Sequence, residues 1–242
     1  MTGTTKPSRD SAQFAEQVNR MFDRVAARYD LLNSLMSAGL HHRWRERAAD
    51  QAEPGPGASA LDVCCGTGDL TLELAGRLAP DGNVIGCDFS EPMLDLAREK
   101  ARRRGVAGAR FEWADALNLP YDAGRFDAVT VGFGIRNFAD RDRGLREMAR
   151  VLRHGGRLVV LEFTKPRRPP FSTFYSLWFD RIAPILGRIS DDPAAYAYLA
   201  ESVRTFPGPR GLAEKMDAAG LGRIRYTILA GGIVTIHTGR AG

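Results

Sequence analysis

A chain of 242 residues with 44% hydrophobic and 26% charged residues has an ordinary soluble, globular balance and can bury a sizeable core without disulfides or metals. The net charge of +5 is carried almost wholly by scattered arginine, with lysine only at positions 6, 100, 165 and 215, which gives no case for a nucleic-acid partner. No window approaches the roughly 18 consecutive apolar residues of a membrane span. The polar opening MTGTTKPSRDSAQ lacks a signal-peptide core, so a cytoplasmic protein is expected.

Residues 12–30 carry Phe14, Val18, Met21, Phe22, Val25 and Tyr29 at helical spacing, and a second helix is expected over 40–52 before GPG at 55–57 breaks the chain. From there strands and helices alternate. Strands are expected at 60–65, 83–88, 109–115, 126–133 and 157–163, the last entered through a turn at Gly155–Gly156. Helices are expected at 70–78, 91–104 and 142–152, with Pro92 in the first turn of the second and RRR at 102–104 as a solvated end. The proline-punctuated, aromatic stretch 166–209 interrupts this rhythm, with a helix near 193–205. A helix at 211–221 and a hairpin of IRYTIL and IVTIHT around Gly231–Gly232 close the chain.

The fold class this predicts is α/β: a doubly wound, mostly parallel seven-stranded sheet with helices on both faces. It forms one domain, 1–242, in four parts. Residues 1–53 are N-terminal helices, 58–165 the ligand-binding core, 166–209 a helical cover, and 210–242 the last helix and strand pair.

The stretch LDVCCGTGDL lies where the first strand meets the first core helix, the place where ligands bind in open α/β sheets. Cys64, Cys65 and Cys87 are an odd number without metal-ligand spacing, and adjacent sulfurs fit one tetrahedral ion poorly, so they read as small buried apolar residues and no metal is expected. Gly66 and Gly68 let the backbone approach a ligand, with Thr67 between them. Twenty residues after Gly68, Asp88 ends the second strand, where a carboxylate can accept from both hydroxyls of a ribose. A dinucleotide fingerprint needs a third small residue, and Thr71 stands there instead. Asp62 and Asp69 near the turn suit a cationic ligand. S-adenosylmethionine, a nucleoside sulfonium with an amino-acid tail, meets these demands. Asp115, ending the third strand, can accept from the adenine amino group with Ala116 against the ring; the alternative for Asp115 is a turn cap.

This arrangement resembles the class I S-adenosylmethionine-dependent methyltransferases. Within them it is similar to the menaquinone/ubiquinone biosynthesis C-methyltransferase family, on the strength of YDLLNSLMSAGLHHRW (29–44), FGIRNF (133–138) and RVLRHGGRLVVLEFTKP (150–166). Departures from the family pattern are Leu32, His154, Thr164 and Gly132, the last standing where many members have a cofactor-contacting serine.

The resemblance implies methyl transfer to a ring carbon of a polyprenylated quinol, demethylmenaquinol first, with benzoquinol methylation or natural-product methylation as alternatives. It implies Arg136 as the partner of the reacting phenolate, the alternative being a structural ion pair. Tyr29, Asn33, His41, Trp44 and Asn137 are the implied substrate contacts. FSTFYSLWFDRIAPIL (171–186) is the expected shield for the tail. A bilayer-resident substrate makes peripheral contact at the inner membrane face reasonable, and a homodimer stays open. A reading of a different class, a dinucleotide-binding module without chemistry, requires affinity for NAD.

Overall fold

The computed structural model of the chain describes residues 39–53, 55–166 and 201–242, and besides these residues 16, 18, 20, 21, 23, 34, 37, 169, 171–173 and 198. The expected helix at 12–30 therefore lies mostly outside the described residues, although Glu16, Val18, Arg20, Met21 and Asp23 are helical. Most of the expected cover at 166–209 lies outside them too.

The elements alternate as the sequence predicts. They are α1 (Leu40–Ala52), β1 (Ser59–Val63), α2 (Asp69–Leu78), β2 (Asn83–Asp88), α3 (Glu91–Arg104), β3 (Ala109–Trp113), β4 (Phe126–Gly132), α4 (Arg141–Val151), β5 (Leu152–Phe163), α5 (Pro209–Ala218), β6 (Leu221–Leu229) and β7 (Val234–Ala241). One sheet of seven strands runs in the order β3-β2-β1-β4-β5-β7-β6. Neighbours among β1 to β5 are parallel, and β7 is antiparallel to both β5 and β6. The strand order reverses between β1 and β4, so the crevice for a ligand opens above their C-terminal ends.

Each face of the sheet has its own core. Leu61, Val63, Val129, Val131, Leu158 and Val160 meet α4 and α5 on one side, through residues such as Leu145, Met148 and Leu212. Ala60, Ala128, Val159 and Leu161 meet Ala48, Ala49, Ala52, Leu74 and Leu78 of α1 and α2 on the other. Buried positions 41, 44, 45, 48, 49 and 52 of α1 follow helical spacing. The alanines let that helix lie close to the sheet, which brings the longer His41, Trp44 and Arg45 to the crevice end. Fully burying a leucine such as Leu74 stabilises the fold by about 1.5–3 kcal/mol, so a charge there would undo the α2 contact.

Several boundaries differ from expectation: the first strand ends at Val63 rather than at 65, and the helix expected at 211–221 ends at Ala218, with Leu221 already in β6. β3 stops at Trp113, leaving Asp115 in the turn that follows it. The turn at Gly155–Gly156 and the next strand are one element: Leu152 already pairs with Phe126, residues 153–156 bulge outward, and pairing resumes at Ala128 with Arg157. β6 is an outer strand of the sheet, with Arg223, Arg225, Tyr226 and Ile228 exposed. No described helix is long and apolar enough to cross a membrane.

Candidate active site

The turn after β1 is held by its own backbone. Cys64, Gly66 and Gly68 have φ of 56°, 54° and 82°, the left-handed region in which glycine is at ease and cysteine is strained. A Cβ on Gly68 would also lie 2.8 Å from Cε1 of Phe111, so this position excludes a side chain on two counts. The amide of Gly66 donates to Asp88 Oδ2 at 2.9 Å, and Ser90 N donates to Asp88 Oδ1 at 3.0 Å. One carboxylate thus ties the β1 turn to the end of β2 while each oxygen keeps a lone pair for a ribose hydroxyl. Burial pushes the Asp88 carboxyl up, with the amides of Ser90, Gly66 and Phe89 pulling against it. Burial also raises the thiols of Cys64, Cys65 and Cys87, which keeps them protonated and unreactive.

The two acids expected to face a cation do not do so. Asp62 is fully buried and accepts from Thr71 Oγ1 and Thr130 Oγ1, both at 2.7 Å, pinning α2 to β4. Burial lifts its carboxyl to about 6 in spite of these bonds. Asp69 is spent on cations: Lys100 Nζ lies 2.7 Å from Oδ1, and Arg45 Nη1 lies 3.5 Å from Oδ2. Burial raises its carboxyl, but Arg45 and Lys100 outweigh that and hold it below the usual range. Lys100 also donates to Thr67 Oγ1 at 3.0 Å, so this buried lysine fixes the middle of the turn.

Asp115 is exposed and caps its turn, with Oδ1 accepting from Leu117 N at 2.8 Å. Its other oxygen takes no part in that bond. The turn-cap reading and the adenine reading are therefore compatible, and Ala116 stands half-buried beside it. At Gly132 a Cβ would press on Leu70 Cδ2 at 3.1 Å, so Leu70 fills space that a serine there would need.

Across the crevice, β4 and β5 end in a charged and aromatic cluster. Arg136 is buried and donates from Nη1 to Glu162 Oε1 at 2.8 Å and to the Phe133 carbonyl. Its backbone amide donates to Glu162 Oε2 at 3.2 Å, and Phe163 N donates to Oε1 at 2.8 Å. The guanidinium lies 5.6 Å from the Phe163 ring centre. Phe163 packs on Phe133 with centroids 4.5 Å apart, and Trp44 stands against both at 6.3 and 6.4 Å. Asn137, half-buried, accepts at Oδ1 from the Tyr198 hydroxyl at 3.0 Å. With Oδ1 so engaged, the amide nitrogen and its two hydrogens point the other way.

His41 is buried between neighbours. Arg45 Nη1 can only donate, so it donates to His41 Nδ1, which leaves the proton on Nε2 to be given to Ser34 Oγ at 3.1 Å. A second proton on this ring would set donor against donor. His41, His42 and Asp69 also come within 4.8 Å of one another, but Arg45 and Lys100 already neutralise Asp69 and oppose a divalent ion there. Tyr29 and Asn33 lie outside the described residues. Glu162, Lys100, Arg45, Phe133, Phe163 and Tyr198 join the site without having been picked out as site residues. Glu162 alone carried a signal, a single acid closing the apolar strand RLVVLEF.

Residues 10–241 match the family model described as the ubiE/COQ5 methyltransferase family. The chain is 50% identical over 220 residues to a demethylmenaquinone methyltransferase from Thermus thermophilus, covering 90% of this chain and 99% of that one. It is 40% identical to a ubiquinone/menaquinone biosynthesis C-methyltransferase, UbiE, from Idiomarina loihiensis, over 90% and 88% of the two chains. In fold it is similar to a SAM-dependent methyltransferase from Aquifex aeolicus, with a TM-score of 0.61 at 16% identity over 82% of this chain and 89% of the other.

Proposed function

This chain belongs to the ubiE/COQ5 methyltransferase family, and from that premise we propose that it transfers a methyl group from S-adenosylmethionine to a ring carbon of demethylmenaquinol, giving menaquinol. The observation that carries this reading is the placement of Arg136 against an aromatic wall of Phe163, Phe133 and Trp44, next to the glycine turn. A planar ring bearing a phenolic oxygen suits such a wall and such a cation.

The residues fit the methyl donor. Asp88 offers acceptors for the ribose, Gly66, Thr67 and Gly68 form the close backbone, and Asp115 with Ala116 flanks the adenine. The donor supplies an electrophilic methyl group, and the sulfur keeps the electron pair of the broken bond. Arg136 stabilises the quinol oxygen as a phenolate, which pushes electron density onto the attacking ring carbon. Being always protonated, it cannot take up the ring proton, and water is the acceptor we assign. The Asn137 amide, turned by Tyr198, donates to a quinol oxygen. Trp44 and the two phenylalanines align the ring and exclude water, a proximity effect that supplies several kcal/mol of the barrier reduction. Tyr29 and Asn33 complete the quinol contacts in this reading, and His41 holds the Arg45 side chain in place beside them.

The polyprenyl tail comes from a bilayer. We place the protein in the cytoplasm, meeting the inner membrane face to collect it, and exposed Phe171 and Ile228 support the membrane contact. The second reading, a benzoquinol substrate, draws on the UbiE relative. A methyl-transfer assay offering reduced demethylmenaquinone and the reduced benzoquinone precursor side by side decides between them. Turnover of the naphthoquinol is expected to dominate, and preferred turnover of the benzoquinol would reverse the assignment.

A further inference from the structure

Arg45 of α1 reaches the crevice between β1 and β4 from outside the sheet. Its Nη1 faces Asp69, the first residue of α2, while its guanidinium carbon lies 5.7 Å from the ring centre of Phe133 at the end of β4. The residue is 7% exposed. Only Nη1 is engaged: it donates to His41 Nδ1 and pairs with Asp69. Among the described residues, Nε and Nη2 meet no acceptor. Neither nitrogen is fully enclosed, so both can still be reached, and a forked pair of reachable donors suits an anion.

The charge around it agrees. Asp69 carries both Lys100 and Arg45, two cations on one carboxylate, and Arg45 also acts on the Asp62 carboxyl beneath the turn. Asp62, the other acid beneath the turn, is fully buried and engaged by Thr71 and Thr130. The anion that belongs here is part of the methyl donor. Once the ribose is on Asp88 and the sulfonium faces the quinol, the amino-acid tail still needs a partner for its α-carboxylate.

We propose that Arg45 binds the α-carboxylate of the S-adenosylmethionine tail through Nε and Nη2, with His41 and Asp69 holding the guanidinium in place. The forked donor pair matches a carboxylate, which an ammonium in the same position would meet only as a point charge. The inference rests on S-adenosylmethionine being the donor. Product S-adenosylhomocysteine keeps the same carboxylate, so Arg45 contributes equally before and after transfer. Its loss therefore raises KM and weakens product inhibition together, with little change in kcat.

The test is calorimetry on the full chain with three ligands: S-adenosylmethionine, its decarboxylated form, and 5′-methylthioadenosine, which lacks the tail. Arg45→Gln should weaken S-adenosylmethionine about 10- to 100-fold, the range of a charged hydrogen bond, while the other two ligands change by less than about twofold. Arg45→Lys should recover part of the loss. Equal weakening of all three ligands would mean that Arg45 only supports the turn and would overturn the proposal, as would unchanged binding of S-adenosylmethionine. If Arg45→Gln does not fold, the wild-type chain carries the test alone. Decarboxylated S-adenosylmethionine must then bind at least about tenfold more weakly than the parent, and equal affinities refute the assignment. A folded wild-type chain that binds none of the three would instead overturn the choice of methyl donor.

Discussion

Arg136 and Glu162 form a buried ion pair, with side chains 6% and 0% exposed and 2.8 Å between Nη1 and Oε1. Glu162 accepts three hydrogen bonds, two of them from backbone amides. Glu162→Gln puts an amide nitrogen where one of these donors points and removes the counter-charge of a buried guanidinium. Removing one partner of such a pair costs about 3–5 kcal/mol. Arg136→Met should fall at the lower end, because both backbone amides still answer the carboxylate. If the two changes were independent, their costs would add to about 6–10 kcal/mol. Because they remove one shared interaction, the double variant should cost no more than the worse single change, a coupling of about 3 kcal/mol. Urea unfolding of the wild type, both single variants and the double variant measures this cycle. Methyl transfer by the same four proteins separates structure from chemistry: the double variant should regain stability and stay inactive. Additive costs would refute the coupling. A double variant that is both stable and active would refute the catalytic assignment of Arg136 and leave it a structural pair.

Asp62 sets a pH dependence. Its carboxyl is raised from 3.8 to about 6 in the folded chain, so folding favours the protonated form and stability is lost as pH rises from about 4 through about 6. The full shift corresponds to about 3 kcal/mol, and about 1.4 kcal/mol of it falls between pH 5 and 7.5. Asp62→Asn should escape this loss, so its stability relative to wild type, read by urea unfolding, should improve by about 1.4 kcal/mol between those pH values; a gap that stays constant with pH speaks against a buried, titrating Asp62. Gly68→Ala sets a methyl group against Phe111 at a left-handed backbone, and should cost about 1–3 kcal/mol and weaken S-adenosylmethionine binding in calorimetry. Unchanged binding would show that the turn does not face the donor. The double change Cys64→Ala, Cys65→Ala should leave kcat/KM for methyl transfer within about threefold of wild type, and a much larger fall would give the thiols a role that their burial denies them.

Most of the sheet was legible because periodicity and glycine breaks report local structure, and local structure is what a parallel α/β fold repeats. Residues 83–88 and 91–104 read off as a strand and a helix with the observed ends, since Asn83, Ser90 and Gly105 mark them. The Gly155–Gly156 excursion was harder, because a pair of glycines looks the same whether it joins two elements or bulges out of one. At the site, Asp88 could be found from its distance to the turn, a separation the motif fixes. The partners of Asp69 could not. Lys100 sits in EKARRR, where the RRR that follows is solvated, and only the packing of α3 against the turn turns that one lysine inward. Arg45 and Trp44 are likewise given their meaning by the angle at which α1 crosses the sheet, which no spacing within the helix encodes.

The outer strand β6 bears on how the protein behaves when crowded. Among the described residues no strand pairs with its outer side; such an edge offers amides and carbonyls to any other chain, and Tyr226 and Ile228, 45% and 55% exposed, add an apolar stripe that invites such joining. Arg223 and Arg225 flank that stripe at its start. A second copy that tried to extend the sheet by symmetric pairing at this stretch would set arginine against arginine, on a molecule that already carries a net charge of +5. Those two side chains act as gatekeepers against aggregation, and neutralising them would make the edge adhesive at high concentration without altering the fold.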